Sequence, residues 1–379
     1  MLDKYLLILP KTEGVFEEEW KQCLGKLRVG IPDGYSLVKI NVFIEAPDFT
    51  SYVEMHQQMM NDIALTFHDK IPVCSITLHP PEKPWKVSLE AGLIKHESFD
   101  LQYRNFSGTS YVTCSKGEVK FLWGGGTGST LFPDDTTKAA GEAFDLMRLV
   151  LESEEMNLHN IVRQWNYIGN ITSVTGNGEN YHNFNSVRSS NYAAYRTQQV
   201  FPAATGIGIK HGGVSLDFFA VKGGDELSII PVNNPEQVKP YQYGQVVLKG
   251  LQCPQFERAM AVSYANEYTL FISGTASILG QDTIGVDDIE KQTLVTIENI
   301  MKLVDTNNRT GYPGTTSFDV SNLIQLRVYV KRQSDFERVR EICNSYFNEA
   351  PSVFIEADVC RENLLVEIEA EFHKRTCNS

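Results

Sequence analysis

Two glutamates near the C-terminal end of the chain have the spacing of a buried acid pair. Glu367 and Glu369 lie in LLVEIEAEF, where apolar and polar residues alternate. Side chains two residues apart in a β-strand share one face, so both carboxyls would point away from Val366 and Ile368. An apolar pocket raises the pKa of a carboxyl because it penalises the charged form, leaving an acid that keeps its proton near neutral pH. The alternative is that both glutamates lie on the solvated face of an amphipathic strand.

The strand that carries these glutamates closes the second of two similar stretches. Each stretch predicts a hairpin, a helix, a strand, further helix and a closing strand pair. In the first copy the hairpin, first helix, strand and closing pair are 111–128, 135–155, 160–168 and 201–222. In the second copy they are 261–280, 286–306, 322–330 and 350–372. The pattern predicts an α+β protein of two modules, each a mixed β-sheet with helices packed on one face.

These copies divide the chain into four parts. Residues 1–100 are predicted as an N-terminal β-rich segment, 101–222 as the first module, 223–255 as a connection and 256–379 as the second module with Glu367. Whether the irregular connection is functional or only a solvated linker stays open. The glycine run 124–128 lacks the spacing of a P-loop or dinucleotide site, so we predict a turn between modules.

Composition excludes several classes of partner. The chain has 379 residues and a formal net charge of -13, which argues against broad binding to nucleic acid or to an anionic membrane. The first residues hold too short an apolar run for a signal peptide, and no stretch reaches the roughly 18 apolar residues of a membrane span. Seven cysteines include no C-x-x-C pair and no metal-ligand spacing. We therefore expect a cytoplasmic protein without a metal.

Several blocks resemble known proteins. The second copy, with LFISGTASILG, the helix IEKQTLVTIENIMKLV and the closing VEIEAEF, resembles the RidA (YjgF) family, and the first copy has Asp217 where the second has Glu367. Two fused RidA-like modules with WNYIGNI, FPAATGIG, SGTAS and ADVCRENLLVEIE resemble the chorismatases of the 3-hydroxybenzoate-forming type. The resemblance covers roughly residues 100 to 372. It implies two fused RidA-like, chorismate-mutase-like modules.

The resemblance also implies a reaction. Chorismate carries an enolpyruvyl ether, and its cleavage begins with a proton delivered to the terminal methylene carbon, which produces an oxocarbenium ion. The chorismatase pattern places Glu367 at the position of this general acid. Pyruvate would leave without a metal, flavin or nucleotide cofactor, because neither protonation nor loss of pyruvate requires a redox partner.

The product follows from two further positions of the resemblance. A cysteine at Cys360 with glycine at Gly274 goes with members that form 3-hydroxybenzoate, while 4-hydroxybenzoate or a dihydroxy-cyclohexadiene carboxylate are the other products to expect. Cys360 could assist the ring rearrangement after the C3 oxygen attacks the neighbouring carbon, or it could be a transient nucleophile. A lone cysteine can also be an ordinary buried apolar residue.

Two substrate carboxylates call for arginine forks and hydroxyl donors. Tyr181 and Arg188 match a Tyr and a Gly-Arg pair of the chorismatase pattern, with Val187 in place of the glycine. Further candidates near the family-like blocks are Arg163, Tyr241, Tyr243, Arg258, Arg327 and Arg361. Each arginine could instead be a surface or ion-pair residue.

Two other functions remain as alternatives. RidA proteins that hydrolyse imines resemble one another in an arginine near the start of the final strand pair, and this chain has Ser352 there, which argues against an imine or enamine deaminase. A non-catalytic small-carboxylate-binding protein is the other possibility. The resemblance further implies a homotrimer, with a monomer as the alternative, and an active site between modules in which Arg188 could reach Glu367.

Overall fold

Strands and helices alternate along almost the whole chain. The structure is a computed structural model, and the described residues are 1–95, 100–128, 130–175, 178–196, 200–244, 252–309, 317–348 and 350–376, without the side chains of 307–309. The α-helices among them are α1 Phe16–Gly30, α2 Phe49–Phe67, α3 Thr136–Ser153, α4 Asn180–Tyr195, α5 Ile289–Arg309 and α6 Phe336–Phe347. The strands are β1 Lys4–Ile8, β2 Tyr35–Ile44, β3 Val73–Thr77, β4 Val87–Lys95, β5 Asp100–Phe106, β6 Thr109–Lys116, β7 Val119–Thr127, β8 Ile161–Gly169, β9 Val174–Thr175, β10 Gly178–Glu179, β11 Ala203–Ile209, β12 Val214–Lys222, β13 Leu227–Val232, β14 Ala259–Tyr264, β15 Glu267–Ala276, β16 Ile278–Leu279, β17 Asp282–Thr283, β18 Leu323–Val330, β19 Ser352–Glu356, β20 Asp358–Val359 and β21 Val366–Arg375.

Three units share one strand order. The first unit is the sheet β1-β4-β2-β3, the second contains β7-β12-β8-β11, and the third contains β15-β21-β18-β19. Each of these sets has four strands, counted here in sequence order. The fourth strand lies between the first and the second and is antiparallel to both, and the third strand is parallel to the second. Helices connect the strands at the same points, α1 and α2 in the first unit, α3 and α4 in the second, α5 and α6 in the third. The two sequence repeats are therefore joined by a third unit of the same topology.

The predicted elements of the two copies are confirmed. The helices expected at 135–155 and 286–306 are α3 and α5, and the strands expected at 160–168 and 322–330 are β8 and β18. The hairpins β6–β7 and β14–β15 precede these helices, and the closing strand pairs follow them. The spacing of the apolar residues was enough to predict these helices and strands because each of them buries one continuous face.

The N-terminal segment is not merely β-rich. It holds α1 and α2, whose buried residues are few: Glu19, Trp20, Cys23 and Leu27 in the first helix and Tyr52, Met59 and Ile63 in the second. Such thin apolar stripes, with turn signals around them, hide the helical period.

Two further expectations were wrong. The connection 223–255 is not irregular throughout, because Leu227–Val232 pairs with β14 as an edge strand. The glycine run 124–128 is not a turn between modules, since Gly124, Gly125 and Gly126 belong to β7. A Cβ on Gly126, whose φ is +67°, would lie 2.6 Å from the Cys74 carbonyl oxygen, so the glycine permits β3 to approach.

The three units face one another around a common centre. Phe43, Tyr167 and Tyr329 each come from the second strand of a unit and surround the buried His79 ring, at centroid distances of 6.2, 5.6 and 5.9 Å. Opposite these aromatic residues, the last strands carry Ser88, Ser215 and Glu367. These three positions are therefore equivalent in the three units.

A layer of buried ion pairs lies next to this centre. Two residues after each equivalent position comes a carboxylate, Glu90, Asp217 or Glu369. Each carboxylate pairs with a cation of another unit: Lys39–Asp217 at 2.8 Å, Arg163–Glu369 at 2.8 Å and Arg327–Glu90 at 2.5 Å. Asp217 thus corresponds to Glu369, and the expected match of Asp217 with Glu367 was wrong by two residues. The ion pairs tie the three units into one structure.

Helices cover the outer faces. Buried apolar residues of α3 and α4 pack on the second unit, and those of α5 and α6 pack on the third. In the described part of the chain, no helix has the length and apolar character needed to span a membrane.

Candidate active site

The site lies in a cleft between the second and third units, where β11 runs beside β15. The backbone N–H of Ala204 donates to Ser273 Oγ at 2.8 Å, and the N–H of Gly274 donates to Thr205 Oγ1 at 3.0 Å. These bonds hold the two strands together without a continuous ladder. We call this the catalytic cleft.

Glu367 and Glu369 both point into the interior from β21. Their exposed fractions are 4% and 1%, whereas Val366 and Ile368 face the opposite side and belong to the core under α5. The shared face predicted from the alternation is confirmed, and the solvated alternative is wrong. Among the described residues, none donates a hydrogen bond to the Glu367 carboxyl.

Glu369 is held as a carboxylate. Its Oε1 accepts from Arg327 Nη1 at 2.7 Å and from Trp165 Nε1 at 2.8 Å, and its Oε2 accepts from Arg163 Nη2 at 2.8 Å and Thr205 Oγ1 at 2.5 Å. Burial opposes ionisation, but the two guanidinium groups and the hydrogen bonds hold the pKa of Glu369 below its usual range.

Glu367 has the opposite environment. Burial, together with the neighbouring negative charge of Glu369, raises its pKa to about 8, although Arg163 and Arg258 oppose this rise. The two carboxyls therefore divide into a permanent anion and an acid that is still protonated at neutral pH. Such a pair can deliver a proton to a bound molecule while keeping the negative charge of Glu369 in place.

Helix α4 supplies one wall of the cleft. Tyr181, Asn185 and Arg188 lie at positions i, i+4 and i+7 and therefore share one face. Arg188 donates to Asn185 Oδ1 at 2.6 Å, yet its buried Nε has no partner within the described ranges. Burial raises the pKa of the Tyr181 hydroxyl, with further contributions from the Cys360 and Glu367 charges. A Cβ on Gly206 of β11 would lie 3.3 Å from Tyr181 Cε2, so the tyrosine packs on a strand that borders the cleft. Among the described residues, this face therefore offers one free buried donor, the Nε of Arg188.

Arg258 approaches from the other side. Its Nη2 donates to the Tyr243 hydroxyl at 2.6 Å and to the Val238 carbonyl at 3.0 Å. The side chain is buried, and its Nε has no partner in the part of the chain that the structure describes. Its charge lowers the pKa of Glu367, and its backbone carbonyl accepts from the N–H of Ser273, the residue before Gly274. Arg188 and Arg258 are thus two buried cations with donors to spare.

Cys360 and Gly274 both border Glu367. Burial, with the Glu367 charge as the next contribution, raises the pKa of the Cys360 thiol to about 12, so the sulfur is a neutral thiol near pH 7. A Cβ on Gly274 would lie 2.0 Å from Glu367 Oε1 and 3.0 Å from Thr205 Cγ2. Any larger residue at 274 would therefore displace the acid.

The remaining predicted residues have other surroundings. Arg163 and Arg327 are buried with Glu369 between them, and Arg327 also binds Glu90. Their donors already have protein partners, so they orient Glu369 rather than offering a free fork. Tyr241 packs beside Phe201, with ring centroids 5.2 Å apart and ring planes inclined by 59°.

The last of the candidate arginines is only half-buried. Arg361 donates to the Gln281 carbonyl at 3.0 Å, and its guanidinium lies 5.6 Å from the centre of the Tyr243 ring. It therefore lies at the edge of the cleft rather than beside Glu367.

Sequence reasoning missed three contributors. Asn185 was not singled out, although its place one turn before Arg188 was a usable signal. Thr205 gave no signal, because its hydroxyl matters only through a contact between units. The role of Glu90 as counterion of Arg327 likewise depends on a first unit that the sequence did not reveal.

Comparison with known proteins assigns the chain to a family. A 3-hydroxybenzoate synthase from Streptomyces hygroscopicus is 35% identical over 240 residues, covering 62% of this chain and 68% of that protein. The chain belongs to the chorismatase family. A chorismatase from Streptomyces rapamycinicus is 32% identical over 214 residues, which cover 55% of this chain and 63% of that relative. The chain therefore spans about two thirds of these relatives.

Two family profiles and one solved structure also match this chain. Residues 108–220 match the profile "Chorismatase FkbO/Hyg5-like, N-terminal", and residues 255–372 match "Endoribonuclease L-PSP". A chorismatase crystal structure superposes with a TM-score of 0.67 and 20% identity, covering 98% of this chain and 99% of the other. That superposition shows a shared fold. Within the described residues, no cluster of His, Cys, Asp and Glu could hold a metal ion.

Proposed function

We propose that this chorismatase family member cleaves the enolpyruvyl ether of chorismate and releases pyruvate and 3-hydroxybenzoate. The observation that carries the proposal is the carboxyl pair, in which Glu369 is fixed as an anion and Glu367 keeps its proton. The relatives named 3-hydroxybenzoate synthase and chorismatase support the same substrate.

The first step is a proton transfer. Glu367 gives its proton to the methylene carbon of the enolpyruvyl group, which becomes a methyl group, and positive charge develops on the carbon bonded to the ether oxygen. The Glu367 carboxylate that remains, together with Glu369, stabilises this cation electrostatically. A neutral acid with a pKa of about 8 is suited to this task because it is protonated at the working pH and still acidic enough to react.

Arg188 and Arg258 bind the two substrate carboxylates. Both guanidinium groups are buried and retain an unpaired Nε among the described residues. Guanidinium pairing fixes a carboxylate in position and angle, and an ionic partner also removes the cost of leaving a buried donor unsatisfied. Tyr181 contributes a neutral hydroxyl, since burial raises the pKa of its phenol.

The product depends on what happens to the ring oxygen. Chorismate contains the same atoms as pyruvate plus 3-hydroxybenzoate, so this route needs no net water and no oxidant, whereas the diene diol route consumes one water. The neutral thiol of Cys360 fits a role as a small neighbour or weak S–H donor during rearrangement better than a role as a thiolate nucleophile. Because Gly274 has no side chain, the Glu367 carboxyl can occupy the space beside it.

We also propose that the protein works as a monomer in the cytoplasm. One chain already contributes three units to a closed arrangement, and the catalytic cleft uses the second and third of them. The expected homotrimer is thus not needed to build a cleft. The six cysteines within the described segments are all free thiols, as suits a reducing compartment. Light scattering should give a mass near 42.7 kDa, and three times that value would restore the trimer.

The test is pyruvate release from chorismate, followed by a coupled assay with chromatographic identification of the aromatic product. Glu367→Gln should lower the rate by at least about a hundredfold, as expected for loss of a general acid. Glu371→Gln is the matched control, because Glu371 lies on the same face of β21 but hydrogen bonds to Tyr5 instead of lining the cleft. Equal loss in both variants, or no pyruvate from the unaltered protein, would refute the proposal.

The product assignment has its own test. Gly274→Ala should reduce turnover and change the product ratio, because the added methyl group must push the Glu367 carboxyl away. Cys360→Ala should retain pyruvate release while changing the ratio of aromatic products. If Cys360→Ala left the ratio unchanged, the thiol would have no part in product choice.

Nothing in the site favours an imine deaminase. Ser352 occupies the start of β19, and its hydroxyl donates to the Ala350 carbonyl at 2.8 Å. It borders a different cleft from Glu367, and it carries no charge that could grip a carboxylate.

A further inference from the structure

A second cavity lies at the junction of the third and first units. It has a volume of about 990 Å³ and is bordered by Leu7 of β1, Val353 of β19 and Ser88 of β4. We call it the β1/β19 cleft. The catalytic cleft lies between β11 and β15. In their own units β11 holds the place of β19, and β15 holds the place of β1.

Register makes the two clefts equivalent. Ser88 lies opposite Phe43 as Glu367 lies opposite Tyr329, and both aromatic residues contact the central His79 ring. Ser88 therefore takes the position of the acid. Val353 pairs with Arg327 on the neighbouring strand as Thr205 pairs with Trp165, so an apolar side chain replaces the hydroxyl of the catalytic cleft. The β1/β19 cleft keeps the shape of a site but lacks the acid.

One buried group in this cleft has no partner. The Ser88 side chain is fully buried, and its Oγ makes no hydrogen bond with any described residue. A buried hydroxyl without a partner is costly, and a hydrogen-bonding ligand would remove that cost. Trp85 adds a half-buried aromatic surface to the same cavity, whereas the Phe354 ring is buried and its centre lies 5.4 Å from the Arg340 guanidinium carbon.

The charges of the lining select against anions. Its described charged residues are Glu82 and Arg340, which form an ion pair with each other. A carboxylate entering this cleft would lose its hydration and would meet no uncompensated cation. The catalytic cleft differs because Arg188 and Arg258 keep unpaired donors.

We propose that the β1/β19 cleft is a second binding site, for an uncharged hydroxyaryl molecule. The ring lies against Trp85, and its hydroxyl hydrogen bonds to Ser88. Because Ser88 cannot act as a strong acid, the ligand is bound without being cleaved. The site is independent of chorismate turnover.

Two probes of the same shape test this proposal by calorimetry on the full chain. Methyl 3-hydroxybenzoate is uncharged and should bind in a way that depends on Ser88 and Val353. Binding of 3-hydroxybenzoate, the proposed product of the catalytic cleft, should be the same in Val353→Trp as in the unaltered protein. Ser88→Ala should weaken binding of the ester about fivefold, the effect of one hydrogen bond. Val353→Trp should abolish it by filling the cavity, and Arg258→Gln should leave it unchanged.

Each variant has a defined opposite outcome. Ester binding that survives Val353→Trp and Ser88→Ala, or that is lost in Arg258→Gln, would overturn the proposal and place the ester in the catalytic cleft. If Val353→Trp fails to fold, Trp85→Leu replaces it and should also weaken the ester. Because binding is measured without turnover, absence of chorismatase activity would not affect the result.

Discussion

Replacing Glu369 by glutamine should change the acidity of Glu367. The two side chains are two residues apart on β21, which places them about 7 Å apart from the rise of a strand. Two charges at that distance interact by about 2 kcal/mol at an effective dielectric constant near 20, equivalent to between one and two pKa units. In Glu369→Gln this repulsion disappears, and Arg163 loses the carboxylate that partly neutralises it. Both changes favour the Glu367 carboxylate and lower its pKa from about 8.

The consequence is visible in the pH dependence of kcat. A general acid is active below its pKa and inactive above it, so the alkaline limb of pyruvate release should fall near pH 8 in the unaltered protein. In Glu369→Gln the limb should move down to about pH 6 to 7, with a loss of rate at neutral pH of about twofold to tenfold. Glu371→Gln is the control and should leave the limb in place. An unshifted limb in Glu369→Gln, with folding verified by circular dichroism, would refute the role of Glu369.

Three more predictions concern the buried charges. Arg188→Gln and Arg258→Gln should each lower kcat/KM for chorismate by about tenfold to a hundredfold, because each loses a charged hydrogen bond to the substrate. Steady-state assays should show the change mainly in KM. Burial raises the pKa of Glu371 from 4.5 to about 7, so the folded state binds this proton more tightly than the unfolded state. The free energy of unfolding therefore declines as the pH rises through this range. Glu371→Gln should remove up to about 3 kcal/mol of that decline, measured by urea titration at several pH values. Asp217→Asn should cost about 3 to 5 kcal/mol in the same titration because it leaves Lys39 buried without its counterion.

The fold of residues 101–376 was largely predictable. Helices such as α3 and α5 bury a broad apolar stripe, and strands such as β21 alternate strictly, so the period of the sequence identifies both. The first unit was not predictable in this way because α1 and α2 bury few residues. Its relation to the others appears only in the sheet order, which depends on pairings between distant strands.

The site was predictable where one strand or one helix carries it. Glu367 and Glu369 share a face by alternation, and Tyr181 and Arg188 share one by helical spacing. Partners across units were not predictable. Arg327 was expected to bind substrate, yet its position between Glu90 and Glu369 results from packing of the first unit against the third.

The interlocked ion pairs explain why the first unit matters for an acid that lies on the third. Glu369 stays ionised because Arg163 and Arg327 hold it, and Arg327 in turn is oriented by Glu90 through its Nε at 3.0 Å. Buried ion pairs contribute little net stability, since desolvation offsets their attraction, but removal of one partner is strongly unfavourable. The benefit of this arrangement is therefore geometric. It fixes an anion beside Glu367, and without the first unit Arg327 would lose one of its two carboxylates and the acid would lose its fixed neighbour.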